Sequence, residues 1–253
     1  MALDPLLADA ARRLRGARHV CVLTGAGISA ESGIPTFRDA MTGLWSRFRP
    51  EDLATPEAFA RNPQFVWEWY ESRRQQVLRT EPNAGHRALV ELAARVPRLT
   101  LVTQNVDGLH QRAGSTGVLE YHGNILRDRC TVENIIADRA DDARTGLPRC
   151  AACAAMLRPD VVWFGEAIPP GPMRLADAAA GDCDVFLSIG TSSLVYPAAG
   201  LAEIALRRGV PVIEVNPNPT DLSRIADVVL RGPAGRMLPD LVAALDELSS
   251  RGV

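Results

Sequence analysis

The run Thr24-Gly-Ala-Gly-Ile-Ser-Ala-Glu-Ser-Gly-Ile-Pro-Thr-Phe-Arg-Asp39 places two glycines directly after an apolar stretch, His19 to Leu23. Gly25 and Gly27 can adopt positive φ and let backbone N–H groups approach a pyrophosphate with no Cβ in the way. The usual dinucleotide fingerprint carries a third glycine three residues after the second. Here that position is Ala30, and Gly33 follows later. An ordinary glycine-rich turn would use the same residues. Gln104, Asn105 and Asp107 also follow an apolar run, and their amides and carboxylate could orient a sugar and an amide; an Asn-Asp turn capping a helix is the alternative. Four histidines, His19, His86, His110 and His122, are candidates for a general base near neutral pH. His19 starts a strand, and His86 follows Asn83, a plausible helix N-cap. His110 and His122 both fall in polar loops beside apolar runs, and spacing does not separate them.

Tyr70 and Arg73 share a face if Trp67-Glu-Trp-Tyr-Glu-Ser-Arg-Arg74 is helical. A guanidinium holds a carboxylate bidentately and a tyrosine hydroxyl adds a third bond. A surface arginine beside a half-buried tyrosine would look the same. The five cysteines, an odd number with no export signal, argue against a disulfide framework and for buried thiols with a metal site. Cys21 and Cys183 border apolar runs and read as core. Cys130, Cys150 and Cys153 fall outside those runs.

The elements that must position these residues follow from periodicity. Apolar runs at 19–23, 99–103, 184–189, 210–215 and 226–230 alternate with helical patterns, notably His86 to Val96 and Ala198 to Arg208. Continuous runs suit a parallel sheet buried on both faces, so the expected class is α/β, doubly wound and Rossmann-like. The loops Gly25–Ser29, Gln104–Asp107, Gly190–Ser193 and Asn216–Asn218 would then gather at the carboxyl edge of the sheet. Residues 40–85 and 128–157 interrupt the rhythm and read as insertions forming a smaller domain. An apolar fraction of 47% with 23% charged residues is that of a globular protein, and no apolar run approaches a membrane span. A net charge of −2 gives no general attraction to nucleic acid. The start, Met-Ala-Leu-Asp-Pro, lacks a basic region followed by an apolar stretch, so a cytoplasmic location is expected.

Further blocks are Thr103-Gln-Asn-Val-Asp-Gly-Leu-His-Gln-Arg-Ala-Gly114, Glu120-Tyr-His-Gly123, Met156 to Glu166, Gly190-Thr-Ser-Ser-Leu-Val-Tyr-Pro197 and Val215-Asn-Pro-Asn218. With the opening run they resemble the sirtuins, NAD-dependent protein-lysine deacylases, in order and spacing over nearly the whole chain. The resemblance implies one catalytic domain over 1–253. Its Rossmann-like part covers roughly 1–39, 86–127 and 158–253, with a helical insertion at 40–85 and a zinc-ribbon-like one at 128–157.

It assigns catalytic roles to His122, Asn105 and Asp107. It places NAD, consumed as a cosubstrate, against Gly25, Ala26, Gly27, Ile28, Ser29, Ala30, Gly33, Ile34, Phe37, Arg38 and Trp45 on the glycine side. Gln104, Val106, Gly190, Thr191, Ser192, Asn216, Pro217, Asn218 and Ala234 complete that set. In the implied chemistry the acyl-lysine carbonyl oxygen displaces nicotinamide from the ribose. His122 then helps deprotonate a ribose hydroxyl, and water releases lysine and O-acyl-ADP-ribose.

The acylated lysine of a protein partner would lie against Val162, Trp163, Phe164, Gly165 and Glu166 as an added strand, opposite Leu194–Tyr196. The Tyr70/Arg73 pair, Asp52-Leu-Ala-Thr-Pro56 and Glu81-Pro-Asn-Ala-Gly-His86 resemble the branch that removes succinyl and malonyl groups, with Ala54 leaving room for the longer acyl chain. Sirtuins hold structural zinc with two Cys-x-x-Cys pairs. The resemblance makes Cys130, Cys150 and Cys153 the metal ligands, but the partner expected for Cys130 is Glu133, so the site is incomplete: Glu133 completes it, water or another residue does, or zinc is weakened or absent, the reading expected. The expectation is a monomer that does not bind nucleic acid or membrane. The alternatives are a mono-ADP-ribosyltransferase and a non-catalytic NAD-sensing module.

Overall fold

A computed structural model describes residues 4–34, 49, 52–139 and 147–250. Helix α1 (Pro5–Arg15) starts where the Asp4 carboxylate accepts the Leu6 and Leu7 N–H groups. Strand β1 (His19–Thr24) is buried along its whole length and runs into a 3-10 turn at Ala26–Ser32. Helices α2 (Pro56–Arg61) and α3 (Pro63–Leu78) each carry proline in the first turn and a side-chain cap, from Thr55 and Asn62 respectively. Helix α4 (Ala84–Ala93) opens with a capping box between Asn83 and His86. Strand β2 (Arg98–Thr103), the short helix α5 (Leu109–Ala113) and the two-residue strand β3 (Leu119–Glu120) follow. Strands β4 (Gly123–Cys130) and β5 (Leu157–Val161) form a separate antiparallel pair. The chain closes with α6 (Pro170–Asp182), β6 (Val185–Ile189), α7 (Gly200–Arg207), β7 (Val212–Val215), β8 (Val228–Leu230) and α8 (Ala234–Ser250).

The six-stranded sheet is parallel, in the order β3-β2-β1-β6-β7-β8. Chain order reverses between β1 and β6, which makes that junction the switch point where open α/β sheets take ligands. Side chains alternate across β1 as the pleat requires. Val20 and Val22 join the layer of α1, α4 and α8, while Cys21 and Leu23 join that of α6 and α7. Cys183 lies in the second layer too, so both of these thiols are core, as expected. A third cluster, including Leu53, Trp69, Tyr70, Ile125 and Trp163, sits under α2, α3 and the small sheet. No helix among the described residues is long and apolar enough to cross a membrane.

Two sequence expectations change. His110 lies in α5 and is buried, where a polar loop was expected. The β4–β5 pair carries no apolar run because its charges are paired across the ladder: Arg127 and Arg129 both bond the Asp160 carboxylate.

Candidate active site

Four loops meet at the carboxyl edge, where the glycine loop is joined to its neighbours through main-chain contacts. Gly25 N–H donates to the Ile189 carbonyl at 3.0 Å and Gly27 N–H to the Gly190 carbonyl at 2.8 Å. Gly25 has φ −124, so conformational freedom is not what selects glycine there. Close approach is. A Cβ on Gly25 would stand 2.8 Å from the Gly190 oxygen, and one on Gly27 would stand 2.7 Å from the Gly190 Cα. Gly33, which ends the 3-10 turn, and Gly190 are the glycines of this contact that take left-handed φ. Thr191 ties in the other two loops: its hydroxyl accepts from the Gln104 amide at 3.1 Å, and its carbonyl accepts from the Asn216 amide at 2.8 Å. Ile28 and Ile34 are buried beneath the glycine loop, while Ala30, Ser192, Pro217 and Asn218 stand exposed and Ala26 and Val106 are half-buried. Ala234 is buried at the start of α8. Phe37, Arg38 and Trp45 fall outside the described residues.

The polar cluster lies inside this edge. The Asn105 amide donates to the Gly25 carbonyl and to the Ser29 hydroxyl, each at 3.1 Å. Ser29 in turn donates to one Asp107 carboxylate oxygen at 2.7 Å. The other oxygen accepts the Leu109 N–H at 2.9 Å, so Asp107 caps α5 and faces the site together. Burial raises its pKa against these bonds.

Geometry separates the histidines. His110 bonds Thr24 Oγ1 at 2.9 Å, and burial lowers its pKa to about 3, leaving it neutral and structural. His86 accepts the Asn83 N–H on Nδ1 and lies 3.5 Å from the Ser29 hydroxyl through Nε2. Spacing placed His86 only behind a plausible N-cap, Asn83, and nothing in it signals the reach to Ser29. His122 places Nδ1 3.0 Å from the Gln104 carbonyl oxygen. A carbonyl only accepts, so Nδ1 carries the proton and the Nε2 lone pair is left for a base. Burial lowers the His122 pKa, which keeps that lone pair available at neutral pH. Gly123 follows at φ +82, where a Cβ would lie 2.1 Å from the Asp160 oxygen. The glycine of the His-Gly pair is therefore a steric requirement of the β4–β5 contact.

Across the cleft, Tyr70 and Arg73 stand one turn apart on α3. Tyr70 is buried and its hydroxyl accepts from the Trp163 indole N–H at 2.9 Å. Arg73 lies over the Trp69 ring at 5.4 Å, and burial draws its pKa below the ordinary guanidinium value. Ala54 is buried and accepts the Phe164 N–H through its carbonyl. The N–H groups of Val162, Trp163, Phe164 and Glu166 are all bonded within the chain, to the His122 carbonyl, the Glu166 carboxylate, the Ala54 carbonyl and the Trp163 carbonyl. A substrate strand here would meet the Gly165 N–H and main-chain carbonyls, beside the exposed Phe164 ring and Leu194–Tyr196.

Away from the cleft, the Cys130, Cys150 and Cys153 sulfurs lie within 4.8 Å of one another. This cluster holds the three thiols and not the Glu133 carboxylate, although the Glu133 N–H donates to the Cys130 sulfur at 3.4 Å. Three thiols fit three corners of a tetrahedral zinc site.

Residues 25–197 match the Sir2 family. A relative from Ralstonia nicotianae named NAD-dependent protein deacylase is 53% identical over 93% of this chain and 96% of its own length. A mutant of a Sir2 homologue in complex with ADP-ribose superposes with TM-score 0.90 at 42% identity, covering 99% of this chain and 100% of that one. A Sir2 protein bound to a myristoylated histone peptide superposes with TM-score 0.79 at 36% identity over 97% and 98%. Motif order, the switch-point site and these likenesses agree: the chain belongs to the Sir2 family.

Proposed function

We propose that this enzyme is an NAD-dependent protein-lysine deacylase directed at acidic acyl groups, succinyl or malonyl, with weaker or comparable deacetylation. Deacylation follows from family membership and from relatives that carry that name. The acyl preference rests on Arg73, a half-buried guanidinium near Tyr70 that feels the Asp107 charge but has no carboxylate at ion-pair distance among the described residues. A buried cation of this kind favours a ligand that brings the missing charge, and a neutral acyl group leaves it unmatched.

In the reading we adopt, the glycine edge and Thr191 hold the dinucleotide, and Asn105 with Asp107 orients the nicotinamide ribose. His122 Nε2 takes the proton of a ribose hydroxyl as it attacks the acyl carbon. Products are nicotinamide, O-acyl-ADP-ribose and free lysine, and no hydride moves. Cys130, Cys150 and Cys153 would hold zinc remote from this chemistry, serving stability. We place the enzyme in the cytoplasm as a monomer, with the two insertions beside the Rossmann-like part as its small domain. Fractionation of cells and size-exclusion mass test the first two assignments.

The acyl preference is tested with Tyr70→Phe combined with Arg73→Met, assayed on paired acetyl- and succinyl-lysine peptides. Succinyl turnover should fall by roughly 100-fold or more, with acetyl turnover little changed. Equal losses on both peptides would remove the carboxylate clamp from the mechanism.

A further inference from the structure

The Trp163 indole was expected only to lie behind a substrate strand, yet it makes a one-way contact with the acyl-binding tyrosine. An indole N–H donates and cannot accept, so at 2.9 Å the Tyr70 oxygen must be the acceptor. Among the described residues the Tyr70 proton has no acceptor. Burial raises the Tyr70 pKa, so the phenol stays protonated. The hydroxyl is thus aimed as a donor, one helical turn from Arg73.

Trp163 is itself held on three sides. The Arg158 guanidinium lies 3.5 Å above its ring centroid. That guanidinium is fixed by a two-point contact with the Glu166 carboxylate, at 2.5 and 2.8 Å, and by the Val161 carbonyl at 2.6 Å. Glu166 Oε2 also accepts the Trp163 main-chain N–H at 2.8 Å. The indole also packs against Phe59 at a centroid distance of 5.3 Å. Swinging the ring would break the Arg158, Phe59 and Tyr70 contacts together.

We propose that Trp163, clamped by Arg158 and Glu166, is a specificity-determining positioning residue that locks the Tyr70 hydroxyl as a hydrogen-bond donor to the carboxylate of an acidic acyl group. The proposal rests on the acidic-acyl reading. It touches no atom of the reacting centre, so its effect falls on recognition of the acyl terminus. A neutral acyl group, with no charged acceptor for that proton, gains nothing from the lock.

The test is a double-mutant cycle of Trp163→Phe and Tyr70→Phe, read as KM and kcat on succinyl- and acetyl-lysine peptides. Trp163→Phe should raise the succinyl KM roughly tenfold more than the acetyl KM, the size of one lost bond to a charged group, with the excess falling on KM and not on kcat. In the Tyr70→Phe background the same change should have no further effect on succinyl KM. Loss of equal size on both peptides, or a full additional loss without the Tyr70 hydroxyl, overturns the proposal. If Tyr70→Phe discriminates between acyl groups while Trp163→Phe does not, the acidic-acyl reading stands and the role of Trp163 falls. If Tyr70→Phe does not discriminate either, both fall. Should Trp163→Phe lower Tm, benzothienylalanine at position 163, which replaces the N–H by sulfur in the same shape, gives the same comparison.

Discussion

The carboxyl edge of the six-stranded sheet is held by main-chain contacts at the limit of atomic approach, whereas the α3 side of the cleft is held by arginine side chains. On the first side Gly25, Gly27 and Gly190 interlock with no room for a methyl group. On the second, the buried Arg74 bonds the Ile125 carbonyl and the Asp128 carboxylate, each at 2.7 Å, and Arg139 bonds the other Asp128 oxygen at 2.6 Å. Both guanidiniums flank the Trp67 ring at 5.3 Å. Backbone interlock fixes a site for one unvarying ligand. Side-chain networks can be altered one residue at a time and still fold, which suits the wall proposed to read the variable acyl group.

The largest break in this comparison is Gly27→Ala. Its Cβ would meet backbone atoms of Gly190, which cannot rotate away. Over-packing of this kind shifts backbone by a fraction of an ångström to an ångström, enough to cost about 100-fold in a positioned reaction. The expected outcome is that loss on succinyl, malonyl and acetyl peptides alike. The clamp variants on α3 should differ by separating the acyl groups. A Gly27→Ala enzyme that kept acetyl turnover while losing succinyl turnover would erase the distinction between the two walls.

How much of this was legible in the sequence follows the same division. Strands β1, β2, β6, β7 and β8 declared themselves through continuous apolar runs, since burial on both faces needs little else. The catalytic loops followed from where those runs end. The small sheet did not: Arg127, Asp128 and Arg129 in β4 read as surface until their partners Asp160 and Arg74 are seen in space. Spacing left His122 and His110 equal for the same reason, and the family resemblance chose His122. In space the Gln104 carbonyl on one ring and the Thr24 hydroxyl on the other set the two apart. The reason for Gly25 changed as well, from positive φ to close approach, a distinction no one-dimensional pattern carries.

Acid sharpens the comparison at intermediate size, because the sheet edge hides neutral histidines. Burial lowers His86 to about 4 and His110 to about 3, against 6.5 for the free imidazole. Below 6.5 the unfolded chain binds protons that the folded one does not, so stability falls as pH falls. Their contribution is complete above pH 6.5 and is lost progressively as pH falls toward 4 and then 3. His86 alone should account for ~3 kcal/mol by about pH 4. Denaturant unfolding between neutral pH and about pH 4 measures it. His86→Gln, neutral throughout, should be less stable at neutral pH but lose less on acidification. Parallel slopes for the two proteins would show that the acid sensitivity arises elsewhere.

The smallest effect expected is at the cysteine cluster, where sequence left Glu133 as a possible fourth ligand. The three sulfurs converge without its carboxylate, and what Glu133 contributes is a main-chain N–H to Cys130. Any residue supplies that bond. Glu133→Ala should therefore leave metal content, measured by mass spectrometry on protein purified without chelators, at the wild-type level. Its stability should shift by no more than the ~0.5 kcal/mol usual for an exposed position. Cys150→Ser, by contrast, removes a converging thiol and should lower metal content and Tm together, with KM for NAD unchanged. A Glu133→Ala protein that lost its zinc would mean that the carboxylate closes onto the metal, and that the cluster is a four-ligand site completed by oxygen.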